Sequence, residues 1–162
     1  IDKMNIEGSE VVKIANPMSE NFEYLRPSIL PSLLNSEAIS GNAVYPHKIF
    51  EAGKTAVKDS SENYGVATIN SLGFLAADRE AGFNLVSSQL SALMFYLSAG
   101  YTLKEADDPR FIKGRCAAII CEGKKAGIMG EIHPEVLENW GIQMPCAACE
   151  VNLDLIMQLL DS

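Results

Sequence analysis

The chain has 162 residues, 48% of them hydrophobic, and a formal net charge of −8 at pH 7. That length fits one domain with a sizeable core, and no apolar run is long enough to span a bilayer. The acidic balance argues against strong direct nucleic-acid binding, since phosphate contacts need lysine and arginine.

Residues 1–9 read as the frayed remnant of an element cut off upstream, within a single domain over 1–162. The chain begins on Ile1 rather than methionine, and no signal peptide is visible, so we read it as a piece of a longer, cytoplasmic gene product. Glu10–Ala15 reads as a strand stopped by Asn16-Pro17, because a residue before proline is pushed out of the α region. Ser19 suits the cap of a short turn carrying Glu20 and Glu23. Ser28 starts a helix with Pro31 in its first turn, where the missing N–H costs little. Ile29, Leu30, Leu33, Leu34 and Ala38 form its apolar face, and Gly41 is its expected stop.

Lys48–Lys58 reads as a strand. Tyr64–Ala77 reads as a second, central one with Gly73 as a bulge, and Asp78–Gly82 as a turn. Phe83–Ala99 is the clearest helix, capped by Asn84 and followed by Gly100, with Val86, Leu90, Leu93, Met94 and Leu97 on its buried face. Tyr101–Ala106 is a short strand ended by Asp107–Pro109. Arg115–Cys121 and Lys125–Ile132 flank a hairpin turn at Glu122-Gly123-Lys124. Pro134 opens a short helix that Gly141 ends. Cys146–Leu153 is the last strand and Asp154–Leu160 the last helix. Hairpins without regular β-α-β alternation predict an α+β fold, an antiparallel sheet flanked by helices.

Cys146-Ala-Ala-Cys149 has zinc-ligand spacing. Cys116 and Cys121, an odd number of residues apart on one strand, should face opposite sides, which does not suit a shared metal site. We therefore expect reduced, structural thiols and no metal. Lys113 with Arg115, and the Lys124-Lys125 pair, read as solvated strand ends. His133 reads as a capping or hydrogen-bonding group, Glu131 and Glu135 as surface or capping groups, and His47 has no visible partner. Arg26, Glu51 and Arg115 stand inside apolar blocks and need partners, because unpaired buried charge is costly. An Arg26–Glu51 link, buried between the first helix and the Ile49–Ala52 strand, is the expected one.

Four blocks carry a resemblance over about Val11–Leu160. They are the Asn16–Ile39 stretch beginning N-P-M-S and continuing L-R-P-S-I-L-P-S-L-L, P-H-K-I-F-E-A-G at Pro46–Gly53, R-F-I-K-G-R-C-A-A-I-I at Arg110–Ile120, and G-I-M-G-E-I-H-P-E-V-L-E-N-W-G-I at Gly127–Ile142. In this order they resemble the β subunit of phenylalanyl-tRNA synthetase, in the domain built like a class II synthetase catalytic core. The middle, Lys54–Asp108, resembles the archaeal and eukaryotic form more than the bacterial one.

The resemblance implies the class II catalytic-core fold and part of a ligase for phenylalanine and tRNA, with the catalytic α subunit as partner. Class II chemistry uses an arginine from each of two motifs, with Mg²⁺, to hold ATP, because negative charge builds on phosphate oxygens as adenylate forms. Here the first of those motifs reads G-K-T-A-V-K-D-S-S-E-N, keeping only Lys54 and Lys58, and lysine cannot reproduce bidentate arginine geometry. In the second, Leu155 stands at the arginine, and Glu150 and Asn152 at glycines. The domain is thus expected to be non-catalytic and to hold no cofactor, with ATP and Mg²⁺ confined to the complete enzyme. Phe22 and Leu25, with Arg26, Glu51, Arg115, Glu131 and His133, are the structural or interface candidates. An apolar patch is expected around Val11–Met18 and Phe22–Leu25, supporting α-subunit binding or a homodimer of the isolated piece. The alternatives are a free-standing paralogue binding a small ligand in the vestigial pocket, and a thiol or metal protein built on Cys146 and Cys149.

Overall fold

In the computed structural model, residues 2–4, 11–16, 23–40 and 43–161 are described. Two short strands, β1 (Val12–Lys13) and β2 (Tyr24–Leu25), pair antiparallel ahead of the first helix. Helix α1 spans Leu30–Ile39, and its predicted face is buried at Leu30, Leu33 and Leu34. Pro31 lies in its first turn as expected, and the Ser28 hydroxyl accepts the Leu30 N–H at 3.2 Å. Gly41 lies outside the described residues, and Ser40 closes the helix.

The long hairpin of β3 (His47–Lys58) and β4 (Val66–Ala77) follows. Its register runs unbroken from His47↔Ala77 to Lys58↔Val66, so Gly73 is not a bulge. The glycine instead admits α1: a Cβ there would lie 2.9 Å from Ile29 Cγ2 and 3.1 Å from Leu33 Cδ1.

Helix α2 covers Phe83–Tyr96, three residues shorter than predicted. Gly82 is its N-cap residue, not Asn84, and its C-terminus closes before Gly100 is reached. Ser98 takes the left-handed conformation at φ 57°, while Ala99 N–H donates to Met94 O and Ser98 N–H to Phe95 O. That is a Schellman closure made without glycine. Val86, Leu90 and Met94 are buried, whereas Leu93 and Leu97 are only half-buried.

Strands β5 (Thr102–Glu105), β6 (Phe111–Cys121) and β7 (Lys124–Ile132) form a meander. The β6–β7 turn holds only Glu122 and Gly123, at φ 47° and 80°, the paired positive φ of a tight hairpin. Helix α3 (Pro134–Trp140) ends on Gly141 at φ 72°, as its sequence predicts. Strand β8 (Cys146–Asn152) and helix α4 (Leu153–Leu160) complete the order.

Among the described residues the main sheet has six strands in the order β3-β4-β8-β7-β6-β5, every pair antiparallel. The last strand therefore inserts between β4 and β7 and is buried on both faces. On β8, Cys146 and Ala148 face α1 and α3, while Ala147, Cys149 and Val151 face α2 and α4. The α+β architecture with helices on both faces agrees with the sequence reading. Met4, in the stretch read as frayed, is buried in the α1–α3 core, and Lys3 Nζ lies 4.8 Å over the Trp140 ring.

Candidate functional site

A cleft of about 380 Å³ opens on the α1 side of the sheet, floored by β3, β4, β8 and β7. Ser28, Arg110, Lys125, Glu150 and Asn152 supply its ionic and polar lining, with Thr55 and Ser71 beneath them. Position along each strand explains this set. Side chains alternate between faces, so Thr55, opposite Ile69, and Ser71, opposite Asn152, look into the cleft with Glu150. The two hydroxyls are buried and lie 3.0 Å apart.

Glu150 is tied to the start of α1. Its Oε1 accepts the Ile29 N–H at 2.8 Å, and its Oε2 accepts a hydrogen bond from the Ser28 hydroxyl. A carboxylate at a helix N-terminus satisfies an otherwise orphaned donor and suits the dipole. Burial nevertheless raises the Glu150 pKa, outweighing those hydrogen bonds and the nearby charges of Arg110 and Arg26. Arg110 grips Asp108 through Nε and Nη2, at 2.9 and 2.7 Å, and its Nη1 reaches Ser28 Oγ at 3.3 Å. Burial opposes the charge on Arg110, but Asp108 outweighs it and the guanidinium's pKa rises.

The motif departures also have structural roles. The Asn152 side chain accepts the Leu155 N–H at 2.9 Å and caps α4, while Leu155 packs against the core under α2 and α4. Asp154, in the first turn of α4, binds Asn70 through its backbone and side-chain amides, both at 2.8 Å.

The whole of residues 1–153 matches the family model described as "Phenylalanyl tRNA synthetase beta chain CLM domain". The chain belongs to that family. It is 47% identical over 154 residues to the "Phenylalanine--tRNA ligase beta subunit" of Borrelia recurrentis, covering 95% of this chain and 27% of that protein. The protein of the same name from Treponema pallidum subsp. pallidum is 44% identical over 155 residues, covering 96% and 26%. The chain thus spans about a quarter of the length of these relatives.

Within this family domain, Arg26 and Glu51 meet as the sequence suggested, Nη1 to Oε1 at 2.5 Å. Both side chains are about one-third exposed, so the link is half-buried rather than buried. Arg26 also donates to Ser32 Oγ and to Lys54 O. Arg115 pairs with Glu131 at 2.6 Å, and the other oxygen of Glu131 accepts the Phe83 N–H at the start of α2. His133 is the N-cap residue of α3, its Nδ1 accepting from Glu135 N–H at 3.2 Å. Lys113 lies 3.7 Å from Asp107. These residues do not converge on the cleft.

His47 does have a partner, contrary to the sequence reading. Its Nδ1 lies 2.9 Å from a Glu37 oxygen, the two side chains 9% and 1% exposed, with Tyr45 stacked on the ring at 4.1 Å. Burial and the Glu37 carboxylate raise the Tyr45 pKa. Glu37 falls on the buried side of α1 and could have been flagged as an acid in an apolar helical stripe. All four cysteines are free and buried. Burial, then Asp108, pushes Cys116 up to about 11, and burial with Glu37 pushes Cys146 up to about 12. Among the described residues no cluster of metal-ligating side chains forms.

Phe22 and residues 17–18 lie outside the described residues. Leu25 and Tyr24 are exposed at 39% and 40%, whereas Val11 is in the core at 3%. Larger apolar exposure occurs at Ile39, Val44 and Phe50, around the end of α1 and the edge strand β3, and at Phe95 and Tyr96 on α2. No helix among the described residues is long and apolar enough to cross a membrane.

Proposed function

We propose that this chain is a non-catalytic, class II synthetase-like domain of a phenylalanyl-tRNA synthetase β subunit, and that it supports assembly with the catalytic α subunit. The observation that carries the reading is Glu150, a carboxylate committed to the start of α1 where the catalytic pattern has a glycine. Fixed negative charge in a cleft repels phosphate, the opposite of the cationic clamp that adenylate chemistry needs. Asn152 and Leu155 support it, since each serves the fold at a position the catalytic pattern reserves for ATP. The antiparallel sheet flanked by helices that the described residues form supports the class II-like reading.

Assembly is supported by the apolar side chains left exposed: Ile39, Val44 and Phe50, with Tyr24 and Leu25 on β2. Exposed apolar patches of this kind mark partner surfaces. The proposal includes one domain over residues 1–162, a cytoplasmic location, and a Lys54–Asp108 segment closer to the archaeal and eukaryotic form than to the bacterial one. Calorimetry with ATP and Mg²⁺, together with pyrophosphate exchange, tests the non-catalytic reading. We expect no binding and no exchange; micromolar, Mg²⁺-dependent ATP binding would overturn it.

A further inference from the structure

The cleft holds a carboxylate to which neither nearby guanidinium is hydrogen-bonded. Arg110 is spent on Asp108 through two hydrogen bonds, and Arg26 on Glu51. The direct hydrogen-bond partners of Glu150 are neutral groups, the Ser28 hydroxyl and the Ile29 amide. A carboxylate offers about four acceptor positions, so roughly two remain open. The raised Glu150 pKa, caused first by burial and only partly offset by Ser28, Ile29, Arg110 and Arg26, is the behaviour of an undercompensated anion. Around it lie the buried hydroxyls of Thr55 and Ser71 and the half-buried aliphatic chains of Val57 and Ile69. At about 380 Å³ the space suits a small ligand.

We propose that this cleft binds a primary alkylammonium ion, with its –NH₃⁺ on Glu150 and its short carbon chain along Val57 and Ile69. An ammonium brings three donors to the open acceptor positions of Glu150. The same Glu150 disfavours carboxylate and phosphate ligands. Lys125, exposed on the lining, disfavours a second positive charge, so a monoamine is preferred over a diamine of equal length. The inference goes beyond the assembly role and does not depend on it.

The test is calorimetry of the whole chain with n-butylammonium chloride, against sodium chloride at matched ionic strength and against sodium butyrate. We expect saturable binding of the amine and none of butyrate. Glu150→Gln, which keeps an acceptor for the Ile29 N–H, should weaken the amine by at least about tenfold, the size of one lost charge-assisted hydrogen bond. Affinity should rise with pH through the titration of Glu150 while the amine stays protonated, a dependence that Glu150→Gln abolishes. Lys125→Glu should tighten binding, and carries the test if Glu150→Gln fails to fold. Absence of saturable binding, equal binding of butyrate, or affinity indifferent to both substitutions overturns the proposal. ATP run in parallel separates the two readings: its binding sinks the non-catalytic assignment, and absent amine binding sinks this one.

Discussion

Replacing Gly73 by alanine isolates the contact between α1 and the sheet. In an ordinary strand this change should stabilise by roughly 0.5–1 kcal/mol, because glycine loses more backbone freedom on folding. At Gly73 the new Cβ would meet Ile29 Cγ2 at 2.9 Å and both Ile29 Cβ and Leu33 Cδ1 at 3.1 Å. Those neighbours belong to side chains 0% and 3% exposed, with little room to retreat. Overpacking of this kind costs roughly 1–3 kcal/mol and outweighs the entropic gain. We expect a net loss of about 1–2 kcal/mol in urea unfolding, and roughly 2–4 °C in melting temperature for each kcal/mol. Leu33→Ala alone should cost roughly 2–5 kcal/mol as a large-to-small core change. The double variant should lose less than the sum by more than about 0.5 kcal/mol, because the new methyl occupies space that the leucine vacates. A neutral or stabilising Gly73→Ala, or strict additivity, would refute the close approach of α1 to β4.

Glu150→Gln gives a pH signature. Folded Glu150 keeps its proton to higher pH than the unfolded chain, so the stability it contributes is full below about pH 4.3 and is lost as pH rises through its folded value. The glutamine variant should therefore gain on the parent between about pH 4.3 and neutrality in urea titrations, and a constant difference across that range would contradict the raised pKa. Glu131→Ala removes the acceptor for Phe83 N–H and should cost roughly 0.5–2 kcal/mol by thermal unfolding, in the range of a lost helix cap. Arg115→Ala, which leaves that cap in place, should barely move the curve. Cys116 and Cys146, with thiols pushed to about 11 and 12, should resist a maleimide at pH 8 in the folded chain and react once urea unfolds it.

Local chemistry made much of the fold legible. The tight turn at Glu122-Gly123, the Pro134 start and Gly141 stop of α3, and the apolar face of α1 each follow from residues within a few positions of one another. The Arg26–Glu51 link was legible because two charges sat in apolar blocks on elements expected to touch. Long-range partners were not. Glu150 meets Ser28 across 122 positions of sequence, and no pattern in either segment names the other. His47 and Glu37 are ten residues apart, separated by a chain reversal whose geometry the sequence leaves open. Ser98 takes a left-handed position that propensity assigns to Gly100, because the closing carbonyls of α2 arrive two residues earlier.

Native mass spectrometry of the chain mixed with a phenylalanyl-tRNA synthetase α subunit tests the central claim most directly. The account predicts a stoichiometric heteromeric complex, weakened by Leu25→Glu or Phe50→Glu while circular dichroism of the chain stays unchanged. A chain that remains monomeric, or only self-associates, in the presence of the α subunit would contradict it.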